Sequence, residues 1–136
     1  MSYLFVYGTL LRAIGHPKQS YITQYCHFHS PGKLRGKLYD IGRYPGVVPS
    51  THTNDWVHGE LYQIRQEKPL IQLLDEYEGC SHHFADPHEY RRVLLPIERS
   101  DGTIQSAWVY IYTHDTTHLK PILTGDYLTY YHAINN

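Results

Sequence analysis

The apolar run Tyr3-Leu4-Phe5-Val6-Tyr7, closed by Gly8, predicts a strand that starts almost at the first residue. The next segment, residues 10–26, is mixed and is interrupted by Gly15 and Pro17; it predicts a short helix around Gln19-Ser20-Tyr21-Ile22. Alternation returns over residues 32–41 and predicts a strand there. Gly42-Arg43-Tyr44-Pro45-Gly46 reads as a turn, with Pro45 presetting one corner and Gly46 taking positive φ at the next, before Val47-Val48-Pro49 extends again. Residues 56–64 alternate well, with Val57, Leu61 and Ile64 facing inward. Over residues 68–77, Leu70, Ile71, Leu73, Leu74 and Tyr77 fall three and four apart, the stripe of an amphipathic helix. Pro69 suits its first turn, and Gly79 suits the position just past its end. Beyond a polar, His-rich loop over residues 80–88, residues 90–97 and 104–112 predict a hairpin turning at Asp101-Gly102. Asp126 is placed to cap a Tyr-rich terminal helix. Short antiparallel strands, one hairpin and two helices beside the short one near residue 20 predict a single α+β domain over residues 1–136, its sheet curled or closed into a small barrel.

Composition narrows the function classes. Lys and Arg total 12 against 13 Asp and Glu, a net charge of -1, which gives no footprint for nucleic acid or an anionic membrane. The two cysteines, Cys26 and Cys80, form no C-x-x-C pair and suggest neither a disulfide framework nor a zinc knuckle. No charged-then-apolar leader and no membrane-spanning run is present, so a soluble, cytoplasmic protein is expected. The pattern specifies no oligomeric state. Eleven histidines raise the question of a metal, yet neither the adjacent His82 and His83 nor the pairs His27/His29 and His114/His118 give a ligand set, so no metal is expected. Fourteen tyrosines fit a β-rich core filled with Tyr, with a few hydroxyls left to line a polar cavity.

Two local features carry chemistry. Val6-Tyr7-Gly8-Thr9-Leu10 ends a strand in a Gly turn, and the amides after such a turn lack ladder partners and can hold a carboxylate or an oxyanion. Asp75, Glu76 and Glu78 crowd the end of the long helix, where negative charge opposes the helix dipole. Glu78 stands four residues from Leu74, beside the apolar stripe, so its pKa is expected to be raised, as suits a general base and acid. No nucleophile motif is present.

Taken in order, Val6 to Leu10, Tyr44 to Gly46, Val57 to Tyr62, Leu74 to Gly79, Tyr90 to Arg92, Ala107 to Tyr110 and Gly125-Asp126-Tyr127 resemble the γ-glutamylcyclotransferase-like family, which includes the γ-glutamylamine cyclotransferases and small AIG2-like members. The Tyr-Gly-Thr-Leu and Asp-x-Tyr-Glu-Gly pieces are the specific ones. The resemblance implies a small mixed β-barrel flanked by helices and a reaction that needs no cofactor. Its substrate is a small γ-glutamyl compound, cyclised by its own α-amine to 5-oxoproline with release of an amine or amino acid. By the resemblance, Tyr7, Gly8, Thr9 and Leu10 bind the substrate and Glu78 is the acid/base. Tyr44, Tyr90 and Tyr110 are candidate cavity walls or core, and Arg92 is a candidate either for a substrate carboxylate or for a structural ion pair. The alternative is a non-catalytic domain that binds a small anion on the same fold.

Overall fold

In the computed structural model, which describes residues 2–81 and 88–135, the first apolar run forms strand β1, Ser2–Val6. A single 3-10 turn at Arg12–Ile14 and helix α1, Gln19–Tyr25, lead into the long strand β2, Cys26–Asp40. Strands β3, Pro45–Pro49, and β4, Trp56–Ile64, follow, then helix α2, Glu67–Glu78. The hairpin β5, Tyr90–Arg99, and β6, Ile104–Tyr112, precedes the two-residue strand β7, Lys120–Pro121, and helix α3, Tyr127–Ile134.

β1 is the hinge of the topology. It pairs antiparallel with β4, from Ser2↔Ile64 to Val6↔Glu60, and parallel with β6 at Leu4↔Trp108. β2 pairs with β4 along most of its length, and β5 pairs with β6. Contacts Gly32↔Arg99 and Lys33↔Glu98 join β2 to β5, so β2-β4-β1-β6-β5 closes into a mixed barrel that leaves none of its five strands as an open edge. β3 and β7 extend the sheet along β2. The three helices and the closed barrel are the α+β architecture expected from the pattern.

The inward side chains fill the barrel. Leu4, Phe5, Val57, Leu61, Ile97 and Val109 are all at most 2% exposed, and each such residue contributes about 1.5–3 kcal/mol by leaving water. Leu70 and Leu74, four apart on α2, are buried, which docks that helix by its predicted stripe. Asp126 caps α3, accepting from the amides of Leu128 at 3.1 Å and Thr129 at 3.4 Å.

Two local expectations are corrected. The turn expected over residues 42–46 is confined to residues 42–44 and takes its positive φ at Gly42, 135°, and not at Gly46, which with Pro45 already lies in β3. Gly46 is instead a close-approach site, where a Cβ would lie 2.8 Å from that of Tyr112. The strand predicted from residue 32 starts six residues earlier, at Cys26. A bulge between Phe28 and Ser30 breaks the two-residue period there, which hides the strand from an alternation reading.

Candidate functional site

The last turn of α2 is held from two directions. Gly79 follows it in the left-handed conformation, at φ 71°. The Cys80 amide donates to the Asp75 carbonyl at 2.9 Å and the Gly79 amide to the Glu76 carbonyl at 3.2 Å, closing the helix as a Schellman turn. Side-chain bonds supply the second restraint. Arg92 donates from Nε to Asp75 Oδ1 at 2.9 Å and from Nη2 to Oδ2 at 3.3 Å, and the Tyr110 hydroxyl donates to the same Oδ1 at 2.7 Å. The Arg92 guanidinium also lies 4.3 Å from the centre of the Trp108 ring. The helix end is thereby tied to β5 and β6, and the place where Glu78 leaves the helix is fixed.

The chain leaving β1 turns back at once, with the Leu11 amide donating to the Gly8 carbonyl at 3.0 Å. A Cβ on Gly8 would lie 2.7 Å from Pro45 Cγ, so position 8 needs glycine for closeness rather than for a positive φ. The amides of Gly8, Thr9 and Leu10 have no backbone acceptor among the described residues.

Between these two constructions lies a cavity of about 430 Å³. Tyr7, Gly8, Thr9 and Leu10 form one part of its wall, and Tyr77, Glu78 and Gly79 another. Tyr44, Pro45, Glu89, Tyr90 and Tyr110 complete it over an apolar base that includes Phe5 and Leu74. Burial, then the charges of Glu89 and Asp75, push the pKa of Glu78 up from 4.5 to about 7. No hydrogen-bond donor among the described residues offsets that shift.

Several of the tyrosines are frame as much as wall. Tyr7 donates to the Tyr110 carbonyl at 2.6 Å and accepts from the Val47 amide at 3.3 Å, linking β6 to β3. Tyr90 donates to the Pro45 carbonyl at 2.6 Å, and Tyr44 donates to the Glu89 carboxylate. Burial is the main cause holding the pKa of Tyr7, Tyr90 and Tyr110 well above the ordinary 10, so they remain neutral phenols.

Of the residues singled out from sequence, Tyr7, Gly8, Thr9, Leu10, Tyr44, Glu78, Tyr90 and Tyr110 come together at this cavity. Arg92 does not line it; it is engaged in the structural ion pair with Asp75. His82 and His83 lie outside the described residues, and among the described residues no group of three or more His, Cys, Asp or Glu is placed to hold a metal. No helix among them is long and apolar enough to cross a membrane. Glu89 and Tyr77 also line the cavity and carried no sequence signal of their own. Glu89 precedes β5 as a lone acid, and Tyr77 was absorbed into the apolar stripe of α2.

Comparison with known proteins gives a consistent result. The chain is 31% identical over 132 residues to the gamma-glutamylcyclotransferase family protein YtfP of Escherichia coli strain K12, with 92% of this chain and 95% of that one covered. It is 27% identical over 131 residues to the gamma-glutamylaminecyclotransferase of Rattus norvegicus, covering 85% of this chain and 80% of that one. The crystal structure of an AIG2-like protein from Mus musculus superposes with a TM-score of 0.69 at 23% identity, over 90% of this chain and 86% of that one. The family described as "Gamma-glutamyl cyclotransferase, AIG2-like" matches residues 4–129, and the chain belongs to that family.

Proposed function

We propose that this protein is a γ-glutamyl cyclotransferase in which Glu78 carries protons between two nitrogens of the substrate. The observation that bears most on this reading is the meeting, at one cavity, of a carboxyl group with a pKa raised to about 7 and three loop amides that have no backbone acceptor among the described residues. A group that gains and loses a proton near neutrality serves as both base and acid. The amides of Gly8, Thr9 and Leu10 supply donors for the α-carboxylate of a γ-glutamyl group.

In this mechanism the α-ammonium of the substrate gives a proton to Glu78. The freed amine attacks the γ-carbonyl carbon, forming the ring C–N bond and a tetrahedral intermediate. Glu78 returns its proton to the leaving nitrogen, and the old C–N bond breaks to release a neutral amine. Glu78 then accepts the second proton from the ring nitrogen and passes it to the released amine, so 5-oxoproline carries one N–H and the amine leaves as an ammonium. Folding the substrate so that its amine meets its own carbonyl supplies much of the acceleration. Every proton in the scheme comes from the substrate, and the scheme uses no cofactor.

The test is a panel of γ-glutamyl amines and γ-glutamyl dipeptides incubated with the purified protein, with 5-oxoproline and free amine both quantified. Equal amounts of the two from at least one substrate are expected. Binding of 5-oxoproline without turnover of any panel member would replace this reading with that of an anion-binding domain.

A further inference from the structure

Five tyrosines line the cavity, and their hydroxyl protons are not equivalent. Tyr7 donates to the Tyr110 carbonyl, Tyr44 to Glu89, Tyr90 to the Pro45 carbonyl and Tyr110 to Asp75. Among the described residues no carbonyl or carboxylate takes the proton of Tyr77; the groups beside its oxygen are an imidazole and a hydroxyl.

The first of these is His16. The Lys18 amide donates to His16 Nδ1 at 3.0 Å, so Nδ1 must be the unprotonated nitrogen of the neutral ring. The ring proton then sits on Nε2, 3.4 Å from the Tyr77 hydroxyl oxygen, and can only be donated to it. The rings meet edge to face, with centroids 5.6 Å apart, which fixes the direction of approach. The second is the Thr9 side chain, a hydroxyl beside the Tyr77 oxygen that can give a proton to it or take one from it. With His16 donating to one lone pair, the Tyr77 proton is left for Thr9 or for a bound anion, and an anion is the stronger acceptor.

We propose that Tyr77 is a substrate-binding residue, donating its hydroxyl proton to the anionic oxygen held by the loop amides of Gly8, Thr9 and Leu10, and that His16 is the positioning residue that aims this proton. The proposal rests on the cyclotransferase reading for the identity of that anion, the α-carboxylate of the γ-glutamyl group and of 5-oxoproline. It also gives a role to the segment between β1 and α1, which carries Thr9 and His16. That segment meets the end of α2 at Tyr77, so the donor is oriented by a part of the chain remote in sequence from the helix bearing it.

The test is calorimetric titration of 5-oxoproline into wild type, Tyr77→Phe, His16→Asn, His16→Gln and the Tyr77→Phe/His16→Asn double variant, with melting curves taken alongside. Phe keeps the edge-to-face packing and removes only the proton. Asn keeps an acceptor for the Lys18 amide but is too short to reach Tyr77, whereas Gln places an N–H near the position of Nε2. Loss of a hydrogen bond to a charged group weakens binding by about tenfold or more, and that is the expected effect of Tyr77→Phe. His16→Asn should weaken binding in the same direction, His16→Gln should restore most of it, and His16→Asn should add nothing once Tyr77 is Phe. Wild-type affinity in Tyr77→Phe, or an equal effect of His16→Asn in both backgrounds, would overturn the proposal and leave the cyclotransferase reading intact. A wild-type protein that binds no 5-oxoproline would overturn the proposal, and would overturn the cyclotransferase reading with it where the substrate panel also shows no turnover.

Discussion

The Glu89 carboxylate lines the same cavity as that of Glu78 and, after burial itself, is the largest influence raising the Glu78 pKa to about 7. The two acids come from different elements, the end of α2 and the residue preceding β5. Their meeting is a property of the barrel and not of any sequence motif. In the proposed mechanism only the ionised form of Glu78 can take the first proton. The rate should therefore fall on the acid side with a midpoint near 7. Glu89→Gln removes a like charge and should move that acid limb to lower pH, as read from kcat/KM against pH. An unmoved limb would mean that Glu89 does not act on Glu78.

The raised pKa is also a statement about stability. Unfolded Glu78 ionises near 4.5 and folded Glu78 near 7, so its contribution is fully present below 4.5 and is lost as pH rises through 7. Glutamine has no charge to desolvate. Glu78→Gln is therefore expected to be more stable than wild type at pH 8, by on the order of 2 kcal/mol, and nearly equal to it at pH 4. Urea unfolding at the two pH values measures the difference.

Gly8→Ala should be costly despite its small size. The new methyl would meet Pro45 Cγ at 2.7 Å, and forced overpacking of this kind costs about 1–3 kcal/mol. Because the displaced segment carries the loop amides, KM should rise as well. Adding Pro45→Ala removes the clashing atoms and should recover part of both losses, a coupling that a double-mutant cycle detects.

Arg92→Ala tests whether that arginine serves the fold or the substrate. Its fork to Asp75 is only partly exposed, with side chains at 23% and 20% of full accessibility. Losing it should cost about 1–3 kcal/mol of unfolding free energy. Arg92→Lys should not restore this, since an ammonium cannot reproduce the two parallel bonds. KM should change by less than the roughly tenfold that a lost charge-assisted substrate contact gives. A large KM effect with unchanged stability would place Arg92 on the substrate instead.

Much of this architecture was legible in the sequence because its signals are local. The bounds of β4 and β6 follow from alternation, the end of α2 from Gly79 in the left-handed region, and the start of α3 from the Asp126 cap. What was not legible depends on distant parts of the chain. The first half of β2 is masked by the bulge at Phe28, and Gly46 reads as a turn residue until Tyr112 is seen packed against it. At the cavity, the loop from Tyr7 to Leu10 and the helix-end Glu78 stood out because each breaks a local rule. Glu89 and Tyr77 break none. Glu89 matters only because the Arg92–Asp75 ion pair ties the start of β5 to the end of α2. Tyr77 matters only because His16 and Thr9 reach its oxygen from the segment after β1.

The most direct test of the whole account is the release of 5-oxoproline by wild type, Glu78→Gln and Glu78→Asp at pH 8, with melting curves for all three. The account predicts release by wild type and a loss of about a hundredfold or more in Glu78→Gln, which keeps the shape of the carboxyl group but cannot carry a proton. Glu78→Asp, whose carboxylate is withdrawn by one methylene, should fall in between. Wild-type release by a folded Glu78→Gln protein would contradict the assignment of proton transfer to Glu78.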